Sequence, residues 1–198
     1  MLLIDKLKDK KIILASGSPR RRELMSGLGI DYTVDTETRF DEFYPDGLEI
    51  RRIPEYLACG KSRAYPRPLE KDDILITADT LVYCQERILG KPKSREEAVE
   101  MLRLLQNNKH TVLTGVCIRS LDKEISFTSS SDVYFNKISD EEIDYYIDRY
   151  KPFDKAGSYG VQEWIGYIGL LKIEGSFYNI MGLPVQRLYT ELEKFVTR

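Results

Sequence analysis

"KKIILASGSPRRRELMSGLG" (Lys10–Gly29) changes period within twenty residues. Ile12, Ile13, Leu14 and Ala15 make a short apolar run, bounded by lysines before it and by Ser16, Gly17 and Ser18 after it, as in a buried strand. Ser18 is a good N-cap, Pro19 suits the first helical position, and Gly29 can close the helix in the left-handed conformation. The stretch is a strand–turn–helix unit.

Three arginines, Arg20, Arg21 and Arg22, open that helix. A helix N-terminus already carries about half a positive charge, so cations in the first turn cost roughly 0.3–1 kcal/mol each. A bound anion would offset this. The turn offers unpaired N–H groups, the small donors Ser16, Gly17 and Ser18, and the guanidinium forks of Arg20 and Arg21, all suited to phosphate oxygens. A solvated basic helix start, paired with acids such as Glu23, fits the same residues.

The rest of the chain makes this cluster a local feature. Of 198 residues, 30 are basic and 32 acidic, with 42% hydrophobic and 31% charged, the balance of a soluble globular protein with no global basic field for nucleic acid. The length suits one domain over residues 1–198, with two small lobes sharing a core as the variant. Cys59, Cys84 and Cys117 are odd in number and far apart, which offers neither a disulfide framework nor a CxxC metal or redox motif. The N-terminus has no long apolar h-region and no later stretch has the length of a membrane span, so a cytoplasmic protein without membrane contact is expected. The single histidine, His110, excludes a multi-histidine metal site and is expected to close a turn beside Asn107 and Asn108.

Further along, "DGLEIRRIPEYLACGKSRAY" has helical spacing and "DILITADTLVYC" followed by "ERILGKP" reads as a strand with a hairpin partner. "SREEAVEMLRLLQ" is a helix with a capping box from Ser94 to Glu97, and "SDEEIDYYIDRY" one with a box from Ser139 to Glu142. "HTVLTGVCIRS" and "EISFTSSSDVYFN" read as paired antiparallel strands. "YIGLLKIEGSFYNIMGLP" reads as two more strands around Glu174 and Gly175, and "PVQRLYTELEKF" as a closing helix. Helices intermixed with hairpins predict an α/β fold with a mixed, largely antiparallel-extended sheet flanked by helices.

Candidate chemistry lies at several places. In "ITADTLV", Asp79 and Thr80 follow an apolar strand, a common way to aim a carboxylate and a hydroxyl into a cleft, although a turn-capping Asp79 fits equally. Glu42, Lys61, Lys91 and the segment "DKAGSYGVQE" with Asp154, Lys155 and Gln162 add carboxylates for a divalent cation and cations for phosphate charge. The glycine-rich segment is not a P-loop, since no GKS or GKT follows it.

Seven stretches, "LASGSPRRRELM", "KSRA", "ADTLV", "LGKP", "LTGV", "DKAGSYGVQ" and "GLP", occur in the order found in the Maf family, once called septum formation inhibitor proteins. The resemblance runs from about Lys11 to Phe195. It implies an inosine triphosphate pyrophosphatase-like fold with a substrate cleft between two lobes, and hydrolysis of a nucleoside triphosphate to the monophosphate and pyrophosphate. Asp79 maps onto the residue assigned as proton acceptor. Arg20, Thr80 and Gln162 occupy the positions that separate the subfamilies and resemble the dTTP/UTP branch. The family's members are often homodimers, and its older name points instead to a regulatory binding protein of cell division.

On this resemblance, the triphosphate is held by Arg20, Arg21, Lys61 and Lys91 with Ser16 and Ser18, the base is met by Thr80 and Gln162, and Mg2+ or Mn2+ is held by Glu42 and Asp79. Around "ETRFDEFYP" the sequence departs from the family's acidic pair, and Glu42 is the better placed of its acids. A cation beside Asp79 lowers its pKa below the ~3.9 of a free aspartate, so the expected role leans toward holding metal and orienting water.

Overall fold

A computed structural model describes residues 1–197 of the chain. In chain order the elements are α1 (Leu3–Lys6), β1 (Lys11–Ala15), α2 (Pro19–Ser26), β2 (Thr33–Asp35), α3 (Ile53–Arg63), β3 (Asp73–Cys84) and β4 (Arg87–Leu89). They continue with α4 (Arg95–Leu105), β5 (Lys109–Arg119), β6 (Glu124–Phe135), α5 (Asp140–Tyr150), α6 (Trp164–Gly169), β7 (Leu170–Glu174), α7 (Phe177–Ile180) and α8 (Val185–Thr197). The strands form one mixed sheet in the order β2-β1-β3-β5-β6-β7, with β4 paired to β3. β1 is parallel to both β2 and β3, whereas β3–β4 and β6–β7 are antiparallel. The expected mixed α/β architecture is what the chain adopts.

Two compact units divide the residues. The first holds Met1–Asp79, Thr114–Ser129 and the segment from Gly182, and the second holds Thr80–Leu113 and Ser130–Met181. In the first, β1 buries Ile12, Ile13, Leu14 and Ala15, and α3 buries Ile53, Leu57 and Ala58. α8 buries Val185, Leu188, Leu192 and Phe195, a stripe at helical spacing. Each of the larger side chains, Ile, Leu, Val and Phe, contributes about 1.5–3 kcal/mol on full burial.

In the second unit, α4 buries Ala98, Met101, Leu102 and Leu105, and α5 buries Ile143, Tyr146 and Ile147. The Ser139–Glu142 capping box forms in full. At α4 only half of the expected box forms: Ser94 accepts from the Glu97 N–H, while the Glu97 carboxylate accepts from the Lys93 N–H. The second of the two strands expected around Glu174 and Gly175 is also corrected. β7 ends at Glu174, and "SFYNI" turns into α7 because Ser176 caps it by accepting from the Asn179 N–H. Gly175, at φ 121°, makes the break between them.

His110 does not close the turn as expected. Asn107, at φ 51°, takes that place, and His110 lies within β5, 1% exposed, with Nε2 bonded to the Tyr159 hydroxyl at 2.7 Å. Burial pulls its pKa down to about 3, against a small opposing pull from Asp132. The folded protein therefore binds fewer protons here than the unfolded chain, whose histidine titrates near ~6.5. This contribution to stability is fully present above about 6.5 and is lost as the pH falls toward about 3. His110→Gln, which keeps a partner for Tyr159, is expected to flatten the fall of Tm with acidification over that window. A slope equal to the parent's would contradict the assignment.

Candidate active site

Three parallel strands end at one edge of the first unit. Leu14 pairs with Ile76 and Ala15 with Asp35, so the turn after β1, the loop after β2 and the last residues of β3 in this unit, Ala78 and Asp79, arrive at the same level. In open α/β sheets this carboxyl edge is where ligands bind.

The turn after β1 is built as expected: Ser18 caps α2 by accepting from the Arg21 N–H at 3.4 Å, and Pro19 opens the helix. The three arginines are then used differently. Arg21 points inward, donating from Nε to the Gly182 carbonyl at 2.8 Å and from Nη1 to the Ala78 carbonyl at 2.9 Å and to Ser16 Oγ at 3.5 Å. It ties together the β1 turn, the end of β3 and the "GLP" segment, whose Gly182 sits at φ 108°. Desolvation lowers its pKa, and the nearby Asp79 charge works against that. Arg22 folds back onto the Gly17 carbonyl at 3.3 Å, and Arg20 is half-buried on the first helical turn.

Lys61 joins two of the expected carboxylates. Its Nζ lies 2.5 Å from Asp79 Oδ1 and 2.7 Å from Glu42 Oε1. The pairing follows from how α3 is seated. Thr77 Oγ1 donates to the Ala58 carbonyl at 2.7 Å, and one turn further along α3 Lys61 meets Asp79, two residues beyond Thr77 on the same face of β3. Glu42 is delivered by the loop after β2, whose Phe40 ring rests on Gly60; a Cβ there would come within 2.3 Å of the ring. Thr77, Phe40 and Gly60 were not singled out from the sequence, and only the placement of Gly60 immediately before Lys61 gave a signal.

Asp79 is 8% exposed and its pKa is raised. Burial outweighs the pull of Lys61 and Arg21, and the Glu42 charge adds to the rise. The expectation of a lowered pKa is therefore corrected for this arrangement: desolvation is larger than the adjacent positive charge.

The remaining expected residues belong to the second unit. Thr80 continues β3 and is half-buried, and Lys91 is exposed just after β4. Gln162 is half-buried in the turn before α6, and its Oε1 is buried without a hydrogen-bond partner among the described residues. The turn around it is firmly held. Tyr146 Oη accepts from the Gly160 N–H at 3.0 Å and donates to Glu163, and Lys155 pairs with Glu163 at 3.1 Å and Asp154 at 2.9 Å. In "DKAGSYGVQ", Gly157 at φ 70° faces Val82, and its N–H donates to the Gly90 carbonyl of "LGKP" at 3.0 Å.

The profile of the Maf-like protein family matches residues 11–195. The chain belongs to that family. Among full-length relatives of this Maf-like protein, the dTTP/UTP pyrophosphatase of Bacteroides thetaiotaomicron is 56% identical over 192 residues, covering 97% of this chain and 100% of the relative. That of Parabacteroides distasonis is 54% identical over 193 residues, covering 98% and 100%, and that of Porphyromonas gingivalis 52% identical over 195 residues, covering 98% of each. A solved HAM1 protein from Coxiella burnetii aligns with the Maf-like chain at 12% identity and TM-score 0.47, over 93% of this chain and 99% of the other. No helix among the described residues is long and apolar enough to cross a membrane.

Proposed function

We propose that this Maf-like protein is a nucleoside triphosphate pyrophosphatase that hydrolyses dTTP and UTP to the monophosphate and pyrophosphate. The observation that carries this reading is the Lys61 ammonium held between Glu42 and the buried Asp79, beside the turn that opens α2. Relatives that match the chain end to end carry the name of that activity. A regulatory protein without catalysis is not favoured by any of these observations.

Two carboxylates converging on one cation also fit a divalent metal. Mg2+ or Mn2+ takes oxygen ligands, commonly one or two carboxylates completed by substrate phosphates, and Glu42 and Asp79 supply that donor set. Bound there, the metal would offset phosphate charge in the transition state. The residues of the chain do the rest. Ser16, Ser18 and the N–H groups of the turn, with Arg20, Lys61 and Lys91, hold the triphosphate; Arg21 keeps the turn in register with Asp79 and adds positive charge. Asp79 orients the attacking water; burial holds its carboxyl above the ordinary aspartate range, and a cation bound there would oppose that rise.

The reading is tested by incubating the protein with each nucleoside triphosphate in turn, with Mg2+ or Mn2+, and identifying the products. The highest kcat/KM is expected for dTTP and UTP, with pyrophosphate released in equal amount to the monophosphate. Orthophosphate as the product would overturn it.

Thr80 and Gln162 are proposed to meet the base. An amide offers a donor and an acceptor, matching the O4 and N3–H of thymine and uracil, and the partnerless Oε1 of Gln162 is suited to that acceptor role. Gln162→Glu removes the donor. It is expected to lower kcat/KM for dTTP and UTP roughly tenfold, within the ~1–3 kcal/mol range for an unsatisfied group, and to affect other nucleotides less. An equal loss for all nucleotides would contradict a role in specificity.

A further inference from the structure

The three cysteines looked unconnected by spacing, yet two of them meet. α3 and β5 run in step, because three to four helical residues rise ~4.5–6 Å and two strand residues ~6.7 Å. At the first level the backbone of Pro54 and Glu55 presses on Gly115 so closely that a Cβ there would lie 2.2 Å away. At the third, Arg119 Nε donates to Ser62 Oγ at 2.8 Å and its Nη2 to the Ser62 carbonyl. The middle level sets Cys59 against Cys117, and Glu124, the first residue of β6, closes the group. The two sulfurs and a carboxylate oxygen all lie within 4.8 Å of one another.

We propose that Cys59, Cys117 and Glu124 form a binding site for a thiophilic divalent cation of the Zn2+ type, distinct from the oxygen-only pair Glu42 and Asp79. Zinc–sulfur bonds of ~2.3 Å and zinc–oxygen bonds of ~2.0–2.2 Å put tetrahedral ligand atoms about 3.5–3.8 Å apart. From within 4.8 Å of one another, the three atoms therefore need to close by about 1.3 Å or less. Cys59 lies about 200° around α3 from Lys61, so the group faces the β5–β6 hairpin rather than the carboxylate pair. The frame is held independently of any ion: Glu55 accepts from Ser126 at 2.7 Å and from Thr128 at 3.2 Å, fixing α3 to β6.

The donor set selects the ion. Thiolates favour zinc over magnesium, and a carboxylate as third ligand suits zinc better than a monovalent copper ion. Glu124 also pairs with Arg63 at 2.8 Å, but the Arg63 side chain is 68% exposed. Surface pairs of that kind are worth about 0–1 kcal/mol, so it can turn away. Binding replaces whatever protons the two sulfurs hold at the working pH by the metal, releases those protons to solvent, involves no electron transfer, and leaves a fourth position for water. Because the group exists only when α3 is docked on the hairpin, the ion should raise Tm, the rise growing with the logarithm of its free concentration above Kd.

The test uses the full, reduced chain titrated with Co2+ and then Zn2+. A thiolate-to-cobalt charge-transfer band saturating at one equivalent, its displacement by Zn2+, and a net release of protons on binding are expected. Cys59→Ser and Cys117→Ser should each abolish the band. Glu124→Gln should weaken Zn2+ binding at least ~10-fold, since loss of even an outer partner costs that much. No band in the parent protein, or a band that survives either serine variant, would overturn the proposal, as would joint loss of both thiols to a disulfide without metal uptake. Should the serine variants not fold, the parent protein decides: Zn2+ should slow alkylation of Cys59 and Cys117 and leave that of Cys84, buried in the second unit, unchanged. Equal alkylation of all three with and without zinc would overturn it.

Discussion

Asp79→Asn is expected to lower turnover of dTTP at least ~100-fold, the lower range for loss of a positioned acid–base group, with the fold retained. The substitution preserves shape and removes one charge. Breaking a buried ion pair usually destabilises strongly because the partner is left buried and unpaired. Here the partner is not stranded, since Lys61 keeps Glu42 at 2.7 Å. Desolvation already works against the Asp79 charge, as its raised pKa shows, so a neutral side chain also removes a cost of folding. Activity and stability are thus expected to separate: kcat falls while Tm stays close to the parent's. The pair of measurements is decisive. A folded variant with near-parental kcat would remove Asp79 from the chemistry, and a variant that simply unfolds would mean that Lys61 depends on Asp79 more than on Glu42.

What the sequence made legible was local. The strand–turn–helix of Lys10–Gly29 formed because each signal, apolar run, cap and proline, acts within a few residues. The same holds for α5, whose capping box lies wholly inside "SDEE". Errors arose where a distant contact or a competing local one decided. "SFYNI" has strand-like composition, but Ser176 offers the Asn179 N–H a cap and Gly175 breaks the strand before it. His110 stands beside turn-forming asparagines and is instead claimed by Tyr159, 49 residues away. Among the arginines, charge alone made Arg20 and Arg21 equivalent. Only the carbonyls of Ala78 and Gly182, delivered by other parts of the chain, turn Arg21 inward. The carboxylate–lysine–carboxylate bridge was present in the sequence as three separate residues, because the register of α3 on β3 has no local signature.

That dependence on register gives the largest expected effect on stability, at Gly115→Ala. Gly115 sits in "LTGV" with ordinary strand geometry, so flexibility is not its role; closeness is. A methyl group there would lie 2.2 Å from Glu55 N and Pro54 C and 2.3 Å from Pro54 O, all main-chain atoms of α3 that no rotamer change can move. Either α3 or β5 must shift. Overpacking costs typically ~1–3 kcal/mol and sometimes more, and obstruction by backbone belongs at the upper end. For a chain of this length ~3 kcal/mol lowers Tm by roughly 6–12 °C. Gly90→Ala, where a Cβ meets nothing within 4 Å, is the control and should leave Tm within about 1–2 °C of the parent. A second consequence separates displacement of α3 from general loosening. α3 carries Lys61 on one side and Cys59 on the other, so a shift at its start should lower kcat/KM and weaken zinc binding together, at temperatures well below the new Tm. If Gly115→Ala melts like the control, the approach of α3 to β5 is looser than described, and the register that places Lys61 between Glu42 and Asp79 must be set elsewhere, with the Thr77–Ala58 hydrogen bond the next contact to remove.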